Sequence, residues 1–201
     1  IKLDLKSVNY IVTSSLVRQS LVFLKNFECY ELKNLERNES FLLSESVIGK
    51  NDKVCSEIFN LVHGHPLATL IVAKRFLETK DVKKAFAVEL LQKNNSLHSY
   101  CLDSYNYYYS MARGQTLLKS IMKTIANEEL RLSDIAKKIY RSAPVTKSVI
   151  ERLIEADAIY RKDNKFYISD SLLSVWLKMV SNGFELDSYD EDKILEAMKE
   201  L

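Results

Sequence analysis

Lysine and arginine side chains collect in residues 113–169, where they could bind the phosphate groups of a nucleic acid. This segment has twelve Lys and Arg residues against seven Asp and Glu, a net charge of +5. Residues 185–201 have two against seven, a net charge of −5, so the whole chain has a formal charge of only +2. A localised basic segment is typical of proteins that contact a phosphate backbone. A solvated basic face, or a module that contacts another protein, is the alternative interpretation.

Nine residues in this basic segment are candidates for DNA contact. A predicted helix at about residues 145–156 would enter the major groove by its N-terminal part, and the surrounding cations would bind phosphates. The helix is short of the Arg, Asn and Gln side chains that make paired contacts with bases, so we expect binding to double-stranded DNA with little sequence preference. The candidates are Lys137, Lys138, Thr146, Lys147, Ser148, Arg152, Arg161, Lys162 and Lys165.

No catalytic or metal-binding pattern accompanies the basic segment. The three cysteines have no C-x-x-C spacing, and the three histidines have no H-E-x-x-H context. We therefore predict no catalytic residue and no metal ligand. An odd number of widely spaced cysteines favours a reducing, cytoplasmic environment over a disulfide scaffold. The longest apolar run is far shorter than the roughly 18 residues that a membrane span needs.

A phosphate-binding glycine loop is also missing from the sequence. Such a loop reads G-x-x-x-x-G-K-[ST]. The only Gly-Lys pair is Gly49-Lys50, which Asn51 follows, and Ser44 stands where the first glycine should be. We therefore do not expect this chain alone to hydrolyse ATP. With four glycines and two prolines in 201 residues, it is predicted to be mainly helical.

Start and stop signals for helices occur throughout residues 36–113. Capping side chains and a first-turn proline predict helix starts at Asn38, Asn51 or Asp52, Pro66 and Asp81. Stops are predicted at Gly49, Gly64 and Asn94. A stretch rich in tyrosine follows at residues 100–109, and its role as core, interface or stacking platform stays open. The apolar segments 8–13 and 28–32 are strand candidates.

Residues 115–180 have a different pattern. An amphipathic helix at 117–125 precedes a short helix that Ser133 is predicted to cap, and a third helix follows at about 145–156. Two alternating segments joined by Asp163-Asn164 then predict a hairpin, and Asp170 is predicted to cap another helix. Three helices followed by a hairpin are the pattern of a winged helix-turn-helix. Residues 189–201 form an acidic amphipathic helix or a frayed tail.

The order of these elements resembles the C-terminal half of an AAA+/STAND-type ATPase of the archaeal kind. VNYIVTSSLVRQS resembles the strand that bears the first sensor, and YELKNLERNESFLLSES resembles the passage into the helical lid. Gly64-His65-Pro66-Leu67 resembles the Gly-x-Pro motif of the lid, and FYISDSLLSVWL resembles the segment after the wing, with Ser171 in place of the usual proline.

The resemblance implies four parts of the chain and a set of nucleotide contacts. The parts are remnant strands of an α/β ATPase domain at 1–35, a helical lid-like bundle at 36–113, a winged-helix domain at 114–180 and an acidic C-terminal helix or tail at 181–201. Thr13 or Ser14 would sense the γ-phosphate or position water. Pro66 would lie against the adenine, with Gly64 allowing close approach. Lys74 or Arg75 would be a second phosphate sensor, carried by the lid. The implied contacts are Thr13, Ser14, Gly64, Pro66, Lys74 and Arg75. Each could instead serve only as a strand end, a helix boundary or a solvated charge.

The function that the resemblance implies is coupling of nucleotide state to DNA or partner binding. ATP and Mg²⁺ would need the P-loop half, which we expect as a separate chain or as a portion removed from this one. The expected partners are this ATPase half or another protein, and double-stranded DNA; no membrane is expected. Two other functions stay open: a stand-alone winged-helix DNA-binding regulator, and a protein-interaction module that binds neither nucleotide nor DNA.

Overall fold

The computed structural model describes residues 11, 13, 27–112 and 116–201. The chain divides into two units, Ile1–Tyr30 and Glu31–Leu201, and every described helix and strand lies in the second. The first predicted strand, at 8–13, lies outside the described residues except for Ile11 and Thr13. The strand predicted at 28–32 is wrong, because these residues form no strand and Leu32 is 98% exposed. A strand needs a neighbour for its backbone hydrogen bonds, and no described strand lies beside this segment.

The described part is mainly helical. Five helices form a bundle: α1 (Arg37–Ile48), α2 (Asp52–Val62), α3 (Pro66–Thr79), α4 (Val82–Leu91) and α5 (Ser96–Met111). Five more helices follow in the C-terminal part: α6 (Thr116–Asn127), α7 (Leu132–Lys138), α8 (Ala143–Glu155), α9 (Ser171–Ser181) and α10 (Glu191–Glu200). The three strands are β1 (Leu130–Arg131), β2 (Ile159–Lys162) and β3 (Lys165–Ile168).

Most of the predicted helix boundaries are confirmed. The Asn51 side chain accepts a hydrogen bond from the Val54 N–H at the start of α2, and the Asp81 side chain accepts one from Lys84 N–H at the start of α4. Pro66 opens α3, where its missing N–H leaves no intrahelical bond unmade. The start predicted at Asn38 is wrong. α1 begins with a reciprocal capping box, in which the Glu39 side chain accepts a hydrogen bond from Glu36 N–H at 2.8 Å.

Helix α1 packs on α3 through small polar side chains rather than apolar ones. Ser40 and Ser44 are fully buried, whereas Leu42 on the same helix is 68% exposed. The Ser44 hydroxyl donates to the Ser40 carbonyl oxygen at 2.9 Å, which satisfies it within its own helix. The Ser40 and Thr69 hydroxyls lie 3.5 Å apart across the helix pair. Small side chains let the two helix backbones approach closely. Val47 and Ile48, near the end of α1, pack against the apolar core, whereas Leu42 faces solvent.

The three strands form one antiparallel sheet in the order β1-β3-β2. The predicted hairpin is confirmed: Lys162 pairs with Lys165 across a two-residue turn, and Asp163 and Asn164 both have positive φ, 49° and 62°. Asp and Asn tolerate this conformation, which matches the twist of the flanking strands. The inner face of the hairpin packs Ile159, Phe166 and Ile168 into the same core as α6, α8 and α9.

The acidic C-terminal segment is a helix that packs against the bundle. Its apolar residues Ile194 and Ala197 are fully buried, and α10 contacts α4. Two surface ion pairs accompany this contact: Lys84 with Glu191 and Lys93 with Asp187, each at 2.7 Å. None of the helices in the described ranges is long and apolar enough to cross a lipid bilayer.

Candidate functional site

The turn that precedes α3 is held tightly by the protein's own backbone. Gly64 has φ +72°, and a Cβ built on it would lie 2.0 Å from the Leu35 carbonyl oxygen. The Leu35 N–H in turn donates to the Gly64 carbonyl oxygen at 2.8 Å, and the Asn34 side-chain amide donates to the His63 carbonyl oxygen at 3.1 Å. The space that the missing side chain leaves is therefore filled by residue 35. Pro66, the next residue but one, is exposed.

His65, between this glycine and proline, joins the start of α3 to the start of α9. Its Nδ1 accepts a hydrogen bond from Ala68 N–H at 3.3 Å, and its Nε2 lies 3.1 Å from the Tyr100 hydroxyl. The Tyr100 hydroxyl donates to Asp170 Oδ2 at 3.0 Å. Asp170 Oδ1 accepts from the N–H groups of Leu172 and Leu173, at 2.9 and 3.2 Å. Since Nδ1 is an acceptor, neutral His65 donates through Nε2. We call these linked hydrogen bonds from His65 through Tyr100 to Asp170 the string, and each of its three side chains has a hydrogen-bond partner.

The middle member of this string is a tyrosine that stays protonated. Burial, together with the negative charge of Asp170, raises the pKa of Tyr100 above its ordinary value. Sequence patterns had marked Asp170 as a helix cap and placed Tyr100 in the tyrosine-rich stretch, but did not connect them. The connection was not visible in the sequence because the three residues are 35 and 70 positions apart.

Replacing Tyr100 with phenylalanine is expected to lower the free energy of unfolding by about 1–2 kcal/mol, because Asp170 and His65 each lose a partner. Urea unfolding followed by circular dichroism measures the change. Tyr109→Phe is the control: that residue is half-buried on the same helix, and its hydroxyl makes no hydrogen bond with a described residue. Equal stabilities of the two variants would contradict a structural contribution from the Tyr100 hydroxyl.

The two cations predicted to sense phosphate from the lid have different surroundings. Arg75 Nε donates to Glu89 Oε1 at 2.7 Å, and its Nη1 donates to Glu78 Oε2 at 2.6 Å. Lys74 is exposed and makes no ion pair with a described residue. Both follow Pro66 by eight or nine residues on α3, which places them about 12–14 Å further along the helix axis. The structure therefore places the predicted adenine contact and the predicted phosphate sensors this far apart along one helix.

A cleft of about 350 Å³ lies beside Arg75, between α3, α4 and the segment before α10. Lys84 also lines it, with the Tyr189 ring 5.8 Å from its ammonium nitrogen. The cations at this cleft are already neutralised by carboxylates of the chain, because Glu89 pairs with Arg75 and Glu191 pairs with Lys84. The cleft therefore offers no uncompensated positive charge to a phosphate.

The basic candidates on α7 and α8 are mostly exposed. Lys137 makes no ion pair with a described residue, whereas Lys138 pairs with Glu128. Lys147 lies 3.7 Å from Glu151, one helical turn away, and both side chains are more than half exposed. Ser148 is exposed beside Lys147, and Arg152, further along, is half-buried. An exposed pair of this kind contributes little to stability and leaves the cation available to another anion.

The structure corrects the prediction that Thr146 contacts DNA. Its side chain is fully buried, and its hydroxyl donates to the Ser142 carbonyl oxygen at 3.0 Å. α8 begins at Ala143, with proline in its first turn, two residues earlier than the sequence pattern predicts. The observed helix buries Thr146 with Val149, Ile150 and Leu153. Thr146 is therefore a core residue and cannot reach a base edge.

The outer face of the hairpin presents two lysines and two tyrosines. Lys162 lies directly across from Lys165, and Tyr160 lies directly across from Tyr167 with ring centroids 5.3 Å apart and nearly parallel. Like charges placed directly opposite repel each other. Glu129 relieves part of this repulsion, because it accepts hydrogen bonds from Lys165 and from the Tyr167 hydroxyl at 3.1 Å. The Lys165 bond is the main reason why the pKa of Glu129 is lowered.

The remaining hairpin cations project toward solvent. Arg161 is exposed and donates to the Asn164 side chain within the turn. Lys162 is exposed and makes no ion pair with a described residue. Arg161 pairs with Phe166 and Lys162 pairs with Lys165, so these two cations lie on opposite faces of the hairpin, close to its turn. We use the name basic face for the exposed cations Lys137, Lys147 and Lys162, which lie on α7, α8 and β2. Arg141, in the turn between α7 and α8, is a further exposed cation, and sequence reasoning missed it.

The other candidates for chemistry are part of the core or lie outside the described residues. Tyr105 is buried, which raises its pKa to about 12, and Tyr108 and Tyr109 pack against the core. Burial and the nearby Asp170 raise the pKa of the Cys101 thiol, the opposite of an activated nucleophile. Within the described ranges, no group of His, Cys, Asp or Glu side chains is arranged to hold a metal ion. Thr13 is exposed, and Ser14 lies outside the described residues.

Comparison with known proteins adds a likeness of fold. No family model and no curated protein matches the sequence. Among solved structures, the chain is similar to the Walker-type ATPase paby2304 of Pyrococcus abyssi, with a TM-score of 0.58 and 17% sequence identity. The match covers 73% of this chain and 43% of that protein, so the chain spans less than half the length of the structure it resembles. The described chain therefore has a mainly helical, distantly ATPase-like fold.

Proposed function

We propose that this chain is the lid and winged-helix portion of an archaeal-type ATPase and that it contacts double-stranded DNA through its basic face. The order α6, β1, α7, α8, β2, β3 supports a winged helix, because a helix-turn-helix is followed by a hairpin that packs beside it. The distant ATPase-like fold supports a lid for the preceding helices. Neither the winged-helix order of elements nor the ATPase-like fold identifies a ligand, so the DNA part of the proposal depends on charge.

The basic face is the observation that carries the proposal. Lys137 and Lys162 lie on different elements, both are exposed, and neither makes an ion pair with a described residue. Lys162 is held opposite Lys165 by the register of the hairpin, an arrangement that an anionic partner stabilises. The burial of Thr146 removes one of the predicted DNA contacts near the start of α8, which further favours backbone contact without sequence preference.

For nucleotide binding, only some of the predicted contacts are accessible. Pro66 and Lys74 are exposed and could face a nucleotide, whereas Gly64 is covered by residue 35 and Arg75 is paired with carboxylates. The chain has no glycine loop for the phosphates, so a separate P-loop domain would have to supply it. The string from His65 through Tyr100 to Asp170 offers a physical link between the Gly-His-Pro turn and the helix after the hairpin.

Binding to a mixed-sequence duplex of about 24 base pairs, followed by fluorescence anisotropy, tests the DNA contact. We expect the affinity to fall steeply with salt and the double variant Lys137→Gln/Lys162→Gln to bind about tenfold or more weakly. Its salt dependence should also fall, by about one in slope for each phosphate contact that is lost.

The control is Lys53→Gln/Lys83→Gln, which removes the same charge from exposed positions on the helical bundle. This variant is expected to bind nearly as the unmodified chain does. Equal losses in the two double variants, or no binding at low salt, would overturn the DNA proposal. The chain would then fit the alternative of a protein-contact module.

A further inference from the structure

Tyr140, in the turn between α7 and α8, has an unusual conformation for a large side chain. Its φ is +54°, and its side chain is 88% exposed. The turn is closed by two hydrogen bonds, from Tyr140 N–H to the Lys137 carbonyl oxygen at 3.1 Å and from Arg141 N–H to the Ala136 carbonyl oxygen at 3.0 Å. This is the pattern of a helix C-terminus in which the residue with positive φ is usually glycine.

Nothing within the described chain compensates for a tyrosine at this position. A left-handed backbone is unfavourable for a bulky residue. An aromatic ring usually offsets such strain by burying apolar surface, but this ring is almost fully in water. Residues that break a local rule without a gain in packing are expected at functional sites.

The surroundings of Tyr140 are cationic. The Arg141 guanidinium donates to the Tyr140 carbonyl oxygen at 3.0 Å, which holds the arginine beside the turn. Lys137 lies one helical turn earlier and is exposed. Neither cation makes an ion pair with a described residue. A turn that carries an exposed tyrosine hydroxyl and two exposed cations is complementary to a polyanion.

We propose that Tyr140 and Arg141 bind phosphates of the DNA duplex, with the tyrosine hydroxyl donating to a phosphate oxygen and the guanidinium binding the same or the adjacent phosphate. Tyrosine and arginine side chains are both regular phosphate donors in protein–DNA interfaces. The inference rests on the proposed DNA contact and adds to it two residues and the turn of the helix-turn-helix.

Three variants of the full chain test this role against the 24-base-pair duplex. Tyr140→Gly is expected to raise the thermal midpoint by about 2–4 °C, because the strained φ is relieved, and to weaken DNA binding about fivefold. Tyr140→Phe keeps the ring and is expected to weaken binding about threefold with no change in salt slope, because only a neutral hydroxyl is lost. Arg141→Gln is expected to lower the salt slope by about one.

Lys80→Gly is the matched control for the backbone effect. Lys80 also ends a helix, with φ +56°, but it lies on the bundle at the end of α3. This control should gain thermal stability without losing DNA affinity. If Tyr140→Gly and Tyr140→Phe both bind as the unmodified chain does while Lys137→Gln/Lys162→Gln binds weakly, only the role of Tyr140 is overturned. If the unmodified chain binds no duplex at low salt, or prefers single-stranded RNA of equal length, the proposed DNA contact and this inference are both overturned.

Discussion

Replacing Gly64 with alanine is expected to lower the free energy of unfolding by about 3–5 kcal/mol. Two penalties add at this position. The φ of +72° costs a residue with a side chain roughly 1–2 kcal/mol. The new Cβ would also lie 2.0 Å from the Leu35 carbonyl oxygen, so the backbone of residues 34–35 must move and release its hydrogen bonds to the turn. Equilibrium unfolding in urea measures the loss.

Gly183→Ala separates the two penalties at Gly64. Gly183 has φ +89°, but a Cβ at this residue would have no atom within 4 Å. Its replacement therefore carries the backbone penalty alone and should cost about 1–2 kcal/mol. If Gly64→Ala were no more destabilising than Gly183→Ala, residues 34–35 would not be held against the turn, and the space beside Gly64 would be open to a ligand after all.

Replacing Arg75 with methionine is expected to destabilise the chain by about 2–4 kcal/mol. The Glu89 side chain is only 6% exposed, and Arg75 is the cation that pairs with it, at 2.5 Å. Removing the guanidinium leaves a buried carboxylate without its charge partner, which costs more than the pair contributes when intact. Thermal and urea unfolding at neutral pH both report this change.

Two further variants show whether burial is the cause of the Arg75 effect. Glu78→Gln removes the other carboxylate that binds Arg75, but its side chain is 69% exposed, so we expect a change of at most about 0.5 kcal/mol. Arg75→Met/Glu89→Leu replaces both members of the buried pair with apolar groups and should recover most of the lost stability. Failure of the double variant to recover would mean that Arg75 acts through packing of its aliphatic stem.

Local signals in the sequence were enough to predict much of the described secondary structure. A cap such as Asn51 or Asp81, and the Asp163-Asn164 turn, act on neighbouring backbone groups, so a few residues determine the outcome. The boundary at Asn38 was predicted wrongly because the capping box pairs two glutamates, Glu36 and Glu39, that are not the commonest capping side chains. The cap predicted at Ser133 is also wrong: α7 begins at Leu132, and its N-cap residue is Arg131, two residues earlier, with no side-chain capping bond.

The candidate site was harder to predict because its contacts join distant parts of the chain. The strand expected at 28–32 required a pairing partner, which no local pattern can supply. Thr146 was predicted to face DNA because it lies near the N-terminal end of its helix. It precedes Val149 by three residues and Ile150 by four, so the helical period places it on the buried stripe with them. Arg75 was predicted to be a phosphate-sensing cation, but its buried partner Glu89 lies on another helix, fourteen residues away.

The shared string of His65, Tyr100 and Asp170 has a consequence for local opening. It supplies the caps of two helices, α3 and α9, that are more than a hundred residues apart in sequence. If the first turn of α3 or of α9 frays, it breaks a hydrogen bond in the string, and the same string also holds the first turn of the other helix. The amide protons of Ala68 and Leu172 should therefore exchange with deuterium at linked rates, and both should become faster when Tyr100 is replaced with phenylalanine.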